Sequence, residues 1–147
     1  MPERETIERA QEDAREGKSP STQAGEFVRE EIHHVRQGKH GASSPQQAIA
    51  IGLSKARRAG VKLPSPKGSV SSSTRKKAAQ DTKAARKPGR KTSTRRSRAT
   101  LGALKRKPRS TASRRALSSQ ASASAAKRGK KARSASAVKA ARTRKAA

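Results

Sequence analysis

The sequence predicts an all-α protein: a short helical hairpin of two to three helices, followed by a long and mostly disordered basic tail. Apolar residues recur at helical spacing in two segments before Leu63. This part of the chain contains 11 Lys and Arg residues and nine acids. After Leu63, 27 Lys and Arg residues face one acid, Asp81, and large apolar residues are rare. A segment with so high a net charge and so few apolar side chains to bury is typical of disorder.

Changes in composition divide the chain of 147 residues into four segments. They are a mixed-charge helix over 1–17, an amphipathic helical hairpin over 18–63, a linker over 64–74 and the basic tail over 75–147. The length allows at most one ordinary domain, and the net charge of +28 comes almost entirely from the last segment.

The first segment predicts a short helix. Glu3 and Glu5 suit the positive end of the helix dipole, and Gly17 ends the helix. Its apolar side is small and consists of Ile7, Ala10 and Ala14. We therefore expect an exposed helix that frays at its ends.

The hairpin consists of two predicted helices joined by a loop between Gly38 and Gly41. The second helix of the chain has an apolar face, and we expect its opposite side to be exposed, with Glu26, Glu30, His33 and Gln37. The predicted core residues of the hairpin are Phe27, Val28, Ile32, Val35, Ile49 and Leu53.

The third helix has the clearest boundaries. Ser44 is a good N-cap, Gln47 completes a capping box with it, and Gly60 ends the helix. Three small residues on one face predict a close approach of the second helix, and they are Ala48, Gly52 and Ala56. Because so small a hairpin is marginally stable alone, a homodimer through this hairpin is a further prediction.

The basic tail predicts nucleic-acid binding without sequence specificity, because spaced cations follow a phosphate backbone and release its counterions. The predicted contact residues are Arg75, Lys76, Lys77, Arg86, Lys87, Arg90, Lys91, Arg95, Arg96, Arg98, Lys105, Arg106, Lys107, Arg109, Arg114, Arg115, Lys127, Arg128, Lys130, Lys131, Arg133, Arg142, Arg144 and Lys145. No zinc-finger spacing or set of aromatic residues indicates base readout.

Catalysis and metal binding are not predicted. His33 and His34 are adjacent, so on a helix they point about 100° apart. With His40 they form no ligand set, since the chain has no Cys and no well-spaced acid. The acids lie on predicted exposed faces, where nothing shifts a pKa towards catalysis. We expect no enzyme activity, no metal and no cofactor.

Residues 25–64 resemble a family of small basic bacterial proteins whose shared domain has unknown function. The resemblance rests on "QAIAIGLSKARRAG" (47–60), preceded by a "GKHG" loop (38–41) and a short amphipathic helix. It implies a bacterial origin and a nucleic-acid role, since members carry labels such as DNA-binding, histone-like or plasmid stabilisation protein. It implies no catalytic residues.

The function predicted from these observations is non-specific DNA binding, in a histone-like, nucleoid-associated or plasmid-maintenance role. Two alternatives stay open: an RNA- or ribosome-associated basic protein, and a regulatory protein–protein interaction module that its tail localises. No apolar run resembles a signal peptide or a membrane span, so we expect a cytoplasmic, nucleoid-associated protein without a membrane partner.

Overall fold

The computed structural model describes residues 1–68, 70–86 and 93–146, excluding the side chain of Ala146. These residues contain six α-helices and one 3₁₀ turn, Ser110–Ala112. The helices are α1 (Arg4–Arg15), α2 (Pro20–Arg36), α3 (Pro45–Arg58), α4 (Ser72–Ala85), α5 (Thr94–Lys105) and α6 (Arg114–Ala146). The chain divides into two compact units, Met1–Ala112 and Ser113–Ala147.

The prediction of a two-to-three-helix hairpin with a disordered tail is wrong. Helices α4, α5 and α6 lie after residue 71, where disorder was expected. Ala, Lys and Arg are good helix formers, and serines cap the helix starts. The Ser71 hydroxyl accepts a hydrogen bond from the Thr74 amide at 3.2 Å, and Ser93 accepts one from Arg96 at 3.5 Å. Local helix propensity therefore outweighs the repulsion between like charges.

Helix α1 is not the exposed, fraying helix that was expected, because it packs against α2. Thr6 and Ala10 are buried, and Ile7 packs against a cluster that contains Phe27. The main-chain amide of Glu3 also donates a hydrogen bond to Glu30 Oε2 at 3.1 Å. The first helix is therefore part of the folded unit.

Helices α2 and α3 pack against each other as predicted. Phe27 is completely buried with Ala24 and Ala56, and Leu53 packs against the same cluster. A Cβ atom at Gly52 would lie 2.7 Å from Val28 Cα, so only glycine allows this approach of the two helices. Of the predicted core residues, Phe27 and Val35 are buried, while the half-buried ones are Val28, Ile32, Ile49 and Leu53.

The start of α3 confirms the predicted N-cap at Ser44. Its hydroxyl accepts a hydrogen bond from the Gln47 amide at 3.2 Å. The reciprocal bond differs from that of a capping box, because Gln47 Oε1 accepts from the amide of Ser43, at 2.6 Å, and not from that of Ser44. The side chains of this turn therefore still satisfy two main-chain donors that lack helical partners.

Part of the basic region, the segment 75–147 that was predicted to be a disordered tail, packs onto the loop between α2 and α3. The Gly41 amide donates to the Leu104 carbonyl at 2.9 Å, and the Ala42 amide donates to the Pro108 carbonyl at 3.3 Å. A Cβ atom at Gly41 would lie 1.9 Å from the Lys107 carbonyl oxygen. Because no side chain fits there, the residues after α5 are held against this loop by main-chain contacts.

Side chains reinforce this packing at the 3₁₀ turn. Ala112 is buried in a cluster with Val35, Ala42 and Ala48. The Arg36 guanidinium donates a hydrogen bond from Nε to the Ala112 carbonyl at 2.8 Å. The segment predicted to be a disordered tail thus supplies one of the core residues of the first unit.

Helix α4 is held to α3 by Asp81, the one acid of the basic region. Asp81 is buried and accepts hydrogen bonds from Arg58 Nε at 2.8 Å and from Ser54 Oγ at 2.7 Å. Ala78, one turn earlier, is also buried. No helix in the described part of the chain is long and apolar enough to cross a membrane.

Candidate nucleic-acid interface

Helix α6 is the most uniformly cationic element. Its 33 residues include 11 Lys and Arg residues and no acid, and the side chains of all 11 are exposed. At about 100° per residue these cations lie on all sides of the helix and not along one stripe. Gly129, with φ 74° and ψ 166°, divides α6 into two helical stretches within the cluster Lys127–Arg133.

The described residues of the predicted interface are all exposed. The predicted residues on α4 are Arg75, Lys76 and Lys77, and Arg86 follows at its C-terminus. Arg95, Arg96, Arg98 and Lys105 lie on α5, followed by Arg106, Lys107 and Arg109. The residues on α6 are Arg114, Arg115, Lys127, Arg128, Lys130, Lys131, Arg133, Arg142, Arg144 and Lys145. The predicted contacts Lys87, Arg90 and Lys91 lie outside the described residues.

Several of these cations also have structural contacts, among them Arg75, whose Nη2 donates a hydrogen bond to the Gly68 carbonyl at 2.8 Å. Lys77 Nζ lies 3.7 Å from Asp81 Oδ1, one turn away on α4. The Arg109 side chain lies against Gly38, and the Lys107 main chain lies against Gly41. The cations of α6 differ, because no ion pair joins any of them to an acid among the described residues.

A second charged site, absent from the sequence prediction, lies on α2, the α2–α3 loop and α3. We call it the ionic cluster; its members are Glu30, Glu31, His34, His40 and Lys55. The side chains of Glu30 and Glu31 are only 2% and 1% exposed. Glu30 was expected on the exposed side of α2, and that expectation is wrong because α1 and α3 cover this side.

Lys55 and His40 approach the two buried carboxylates. Lys55 Nζ lies 2.7 Å from Glu31 Oε2 and 3.2 Å from Glu30 Oε1. His40 Nε2 lies 3.0 Å from Glu31 Oε1. Both contacts to Glu31 are short but poorly aligned, so neither of its oxygens makes a hydrogen bond within the described residues.

The charge on Lys55 is stabilised by its partners. Burial lowers the pKa of Lys55, but the close polar contacts with Glu31 and Glu30 and the charges of these two carboxylates outweigh burial and raise the pKa above its usual value. The ammonium therefore stays protonated inside the cluster and balances part of its negative charge.

Glu3 extends the network to the surface. Its Oε1 lies 2.8 Å from Lys39 Nζ and 2.8 Å from His34 Nε2. Hydrogen bonds from Lys39 and then His34, together with their charges, lower the pKa of Glu3 from 4.5 to about 2. The carboxylate is thus stabilised in the folded state although its side chain is half exposed.

We expect this interaction to appear as an acid-dependent loss of stability. The pKa of Glu3 is lower in the folded state, so its contribution is present above pH 4.5 and is lost as the pH falls towards about 2. The free energies of unfolding of wild type and Glu3→Gln should therefore differ most above pH 4.5 and converge towards pH 2. Urea unfolding across this range measures the difference. The control is Glu12→Gln, on the exposed part of α1, whose free energy of unfolding should differ from that of wild type by the same amount at every pH. A difference between Glu3→Gln and wild type that does not change with pH would contradict the lowered pKa of Glu3.

The spacing of Glu30, Glu31 and His34 is the one signal by which the sequence could have indicated the ionic cluster. Residues three and four apart share a helix face, so these side chains are neighbours on α2. Spacing does not show whether another element covers that face. His33 and His34 are adjacent in the sequence, whereas the structure leaves His33 exposed and places His34 beside His40, with ring centroids 6.2 Å apart.

Comparison with known proteins shows a similarity to a protein family over part of the chain. Residues 18–67 match the model of a family of unknown function, DUF6496. No curated protein and no solved structure matches the chain. All five residues of the ionic cluster lie within the matched range, whereas α4, α5 and α6 follow it. Over residues 18–67 the chain is therefore similar to a family whose function is unknown, as the sequence resemblance predicted.

Proposed function

We propose that the protein binds nucleic acid without sequence specificity through the exposed cations of residues 72–146, with DNA as the preferred partner. Helix α6 is the observation that carries this proposal, because it exposes 11 cations and contains no acid. Such a surface attracts a polyanion, and each phosphate contact releases condensed counterions. The described cations of helices α4, α5 and α6 stand on helices and not on a disordered tail, so their spacing within each helix is set before binding.

Two features support binding without base readout. The α6 cations surround the helix, so no single face is selected for one groove. Phe27, the one aromatic residue of the chain other than histidine, is completely buried, so no Phe, Tyr or Trp side chain is exposed to stack on an unpaired base. Phosphate contacts position a protein without specifying sequence, and the lack of stacking residues favours duplex DNA over single-stranded RNA.

The remaining predictions depend on this proposal. A histone-like or plasmid-maintenance role, a bacterial origin and a nucleoid location follow from DNA binding and from the resemblance, and they stay predictions. The homodimer also stays a prediction. Ala48, Gly52 and Ala56, which suggested a helix contact, are buried in the chain itself, and Gly52 and Ala56 lie against α2. A dimer would therefore use another surface, which analytical ultracentrifugation of the full chain would test.

Neutralising four cations of α6 should weaken DNA binding and reduce its salt dependence. The variant carries Gln at Arg128, Lys130, Lys131 and Arg133, all exposed around Gly129. If each contacts one phosphate, the slope of log affinity against log salt should become less steep by about 3.6, at about 0.9 per contact. Fluorescence anisotropy with a labelled duplex at several salt concentrations measures this slope.

A matched control separates local contact from bulk charge. It carries Gln at two other arginines and two other lysines, all exposed in the first unit: Arg15, Arg29, Lys62 and Lys67. Its net charge falls by the same amount, but the salt slope should change by less than about one. Equal effects of the two variants, or a wild-type slope near zero, would contradict the proposed interface. Competition by single-stranded RNA that exceeds competition by duplex DNA would contradict the preference for DNA.

A further inference from the structure

We infer that Glu31, His34 and His40 bind one divalent transition-metal ion and that Zn²⁺ suits this ligand set. One donor atom from each of the three side chains lies within 4.8 Å of the other two. Two imidazoles and one carboxylate are a ligand set that zinc sites use, whereas Mg²⁺ and Ca²⁺ prefer oxygen ligands alone. This inference is independent of nucleic-acid binding, because the three residues lie in the first unit and outside the basic region.

The distances fit a shared ion after a small movement. Glu31 Oε1 and His40 Nε2 are 3.0 Å apart. Two donors at about 2.0–2.2 Å from Zn²⁺ lie about 3.3 Å apart at the tetrahedral angle, so this pair already has a suitable separation. The His34 donor lies within 4.8 Å of the other two, and a side-chain rotation would bring it closer to a shared ion.

The hydrogen bonds of the cluster point to a missing partner at Glu31. Glu31 is completely buried, yet neither of its oxygens makes an aligned hydrogen bond among the described residues. The Lys55 ammonium, 2.7 Å from Oε2, compensates the charge of Glu31, and a metal ion would give Oε1 a well-aligned partner as well. Lys55 lies near Oε2, whereas Oε1 faces His40, so the metal would take Oε1 and leave Lys55 to support the other oxygen.

The two histidines also have the outer contacts that metal-binding imidazoles need. His40 Nδ1 lies 3.1 Å from the Gly41 carbonyl oxygen, which only accepts, so Nδ1 carries the proton and Nε2 faces Glu31. His34 Nε2 lies 2.8 Å from Glu3 Oε1, which leaves Nδ1 on the other side of the ring, 3.8 Å from Glu30 Oε1. A ligating histidine usually donates its second N–H to a carbonyl or carboxylate in this way.

Binding would join the α2–α3 loop to α2. His40 lies in that loop, while Glu31 and His34 lie on α2. The same loop receives the main chain of Leu104 and Pro108 through Gly41 and Ala42. A metal at this site would therefore stabilise the docking surface for the residues after α5. A groove of about 260 Å³, lined also by Glu30 and Lys39, reaches one of the three proposed ligands, His34.

The three histidines of the chain allow a direct test on the full-length wild-type protein. Imidazole resonances are followed by NMR while Zn²⁺ is added, and His33→Gln assigns the third signal. We expect one equivalent of Zn²⁺ to shift His34 and His40 and to leave the exposed His33 unchanged. Equal shifts of all three signals, or no shift at one equivalent, would overturn the site. This measurement needs no variant that risks misfolding.

Affinity measurements with variants give a second test. Glu31→Gln and His40→Gln should each weaken Zn²⁺ binding by about 10- to 100-fold, measured by competition with a chromophoric chelator. His33→Gln, which changes the neighbouring imidazole on the same helix, is the matched control and should bind as tightly as wild type. Co²⁺ bound to wild type should show the visible absorption of a four-coordinate nitrogen and oxygen site. Unchanged affinity in Glu31→Gln and His40→Gln would overturn the inference.

Discussion

Replacing Lys55 by Met is expected to destabilise the protein by about 3–5 kcal/mol. The substitution keeps a long side chain but removes the ammonium that lies 2.7 Å from Glu31 Oε2 and 3.2 Å from Glu30 Oε1. Both carboxylates are buried, so each would lose its nearest cation in a desolvated site. Breaking one partner of a buried pair costs far more than the pair itself contributes, because the remaining charge stays desolvated.

Urea unfolding followed by circular dichroism measures this loss at pH 7. Lys39→Met is the matched control, since Lys39 also contacts a carboxylate at 2.8 Å, on Glu3, but both side chains are half exposed. It should cost less than about 1 kcal/mol. The double variant Glu31→Gln/Lys55→Met should be more stable than Lys55→Met alone, because one uncompensated charge is gone. Equal, small losses for both lysines would show that the ionic cluster is solvated.

Phe27→Ala is expected to cost about 3–5 kcal/mol. Phe27 is completely buried and lies in the cluster that joins α1, α2 and α3, with Ala10, Ala24 and Ala56. The buried neighbours are small alanines, which cannot move side-chain atoms into the space that the ring leaves; the larger Ile7 and Leu53 that pack against this cluster are only half-buried. The loss is a large part of the roughly 5–15 kcal/mol that stabilises an ordinary domain, so all three helices should lose order together.

Thermal and urea unfolding of the full chain measure the effect of Phe27→Ala. Phe27→Leu keeps most of the volume and should cost less than about 1.5 kcal/mol, which separates the cavity from the loss of an aromatic ring. Leu101→Ala removes a large apolar side chain that is 43% exposed, and it should change stability by less than about 0.5 kcal/mol. If Phe27→Ala behaves like Leu101→Ala, the three helices do not share one core.

The ionic cluster and the cations of α6 illustrate two different uses of charge. The negative charge of the ionic cluster is compensated in part, since Lys55 lies beside both buried carboxylates. The cluster therefore contributes to the stability of the first unit. The cations of α6 have no acidic partner within the described residues, and the chain provides no acid after Asp81. Compensated charge holds this fold together, and uncompensated charge is available for a polyanion.

Local signals in the sequence predicted several elements well. The Ser44 cap, the stop of α3 near Gly60 and the approach of α2 to Gly52 depend on residues close together in the chain or on one periodic face. The same local reasoning failed after residue 71. There the scarcity of large apolar residues led to a prediction of disorder. Ala, Lys and Arg nevertheless favour helix, and Ser71 and Ser93 cap the starts of α4 and α5.

Periodicity and composition were enough to predict the all-α class, the α2–α3 contact and the strong cationic charge of the C-terminal region. Which polar residues are buried depends instead on the packing of the helices against one another. The sequence alone does not distinguish Glu31 and His34 from residues of a solvated helix face. In the structure, α1, α3 and the loop containing His40 cover them. In the sequence Asp81 is an isolated acid, whereas in the structure Arg58 and Ser54 of α3 donate hydrogen bonds to it. Helical periodicity reports on one helix at a time, whereas burial of a polar face depends on contacts between residues far apart in the chain.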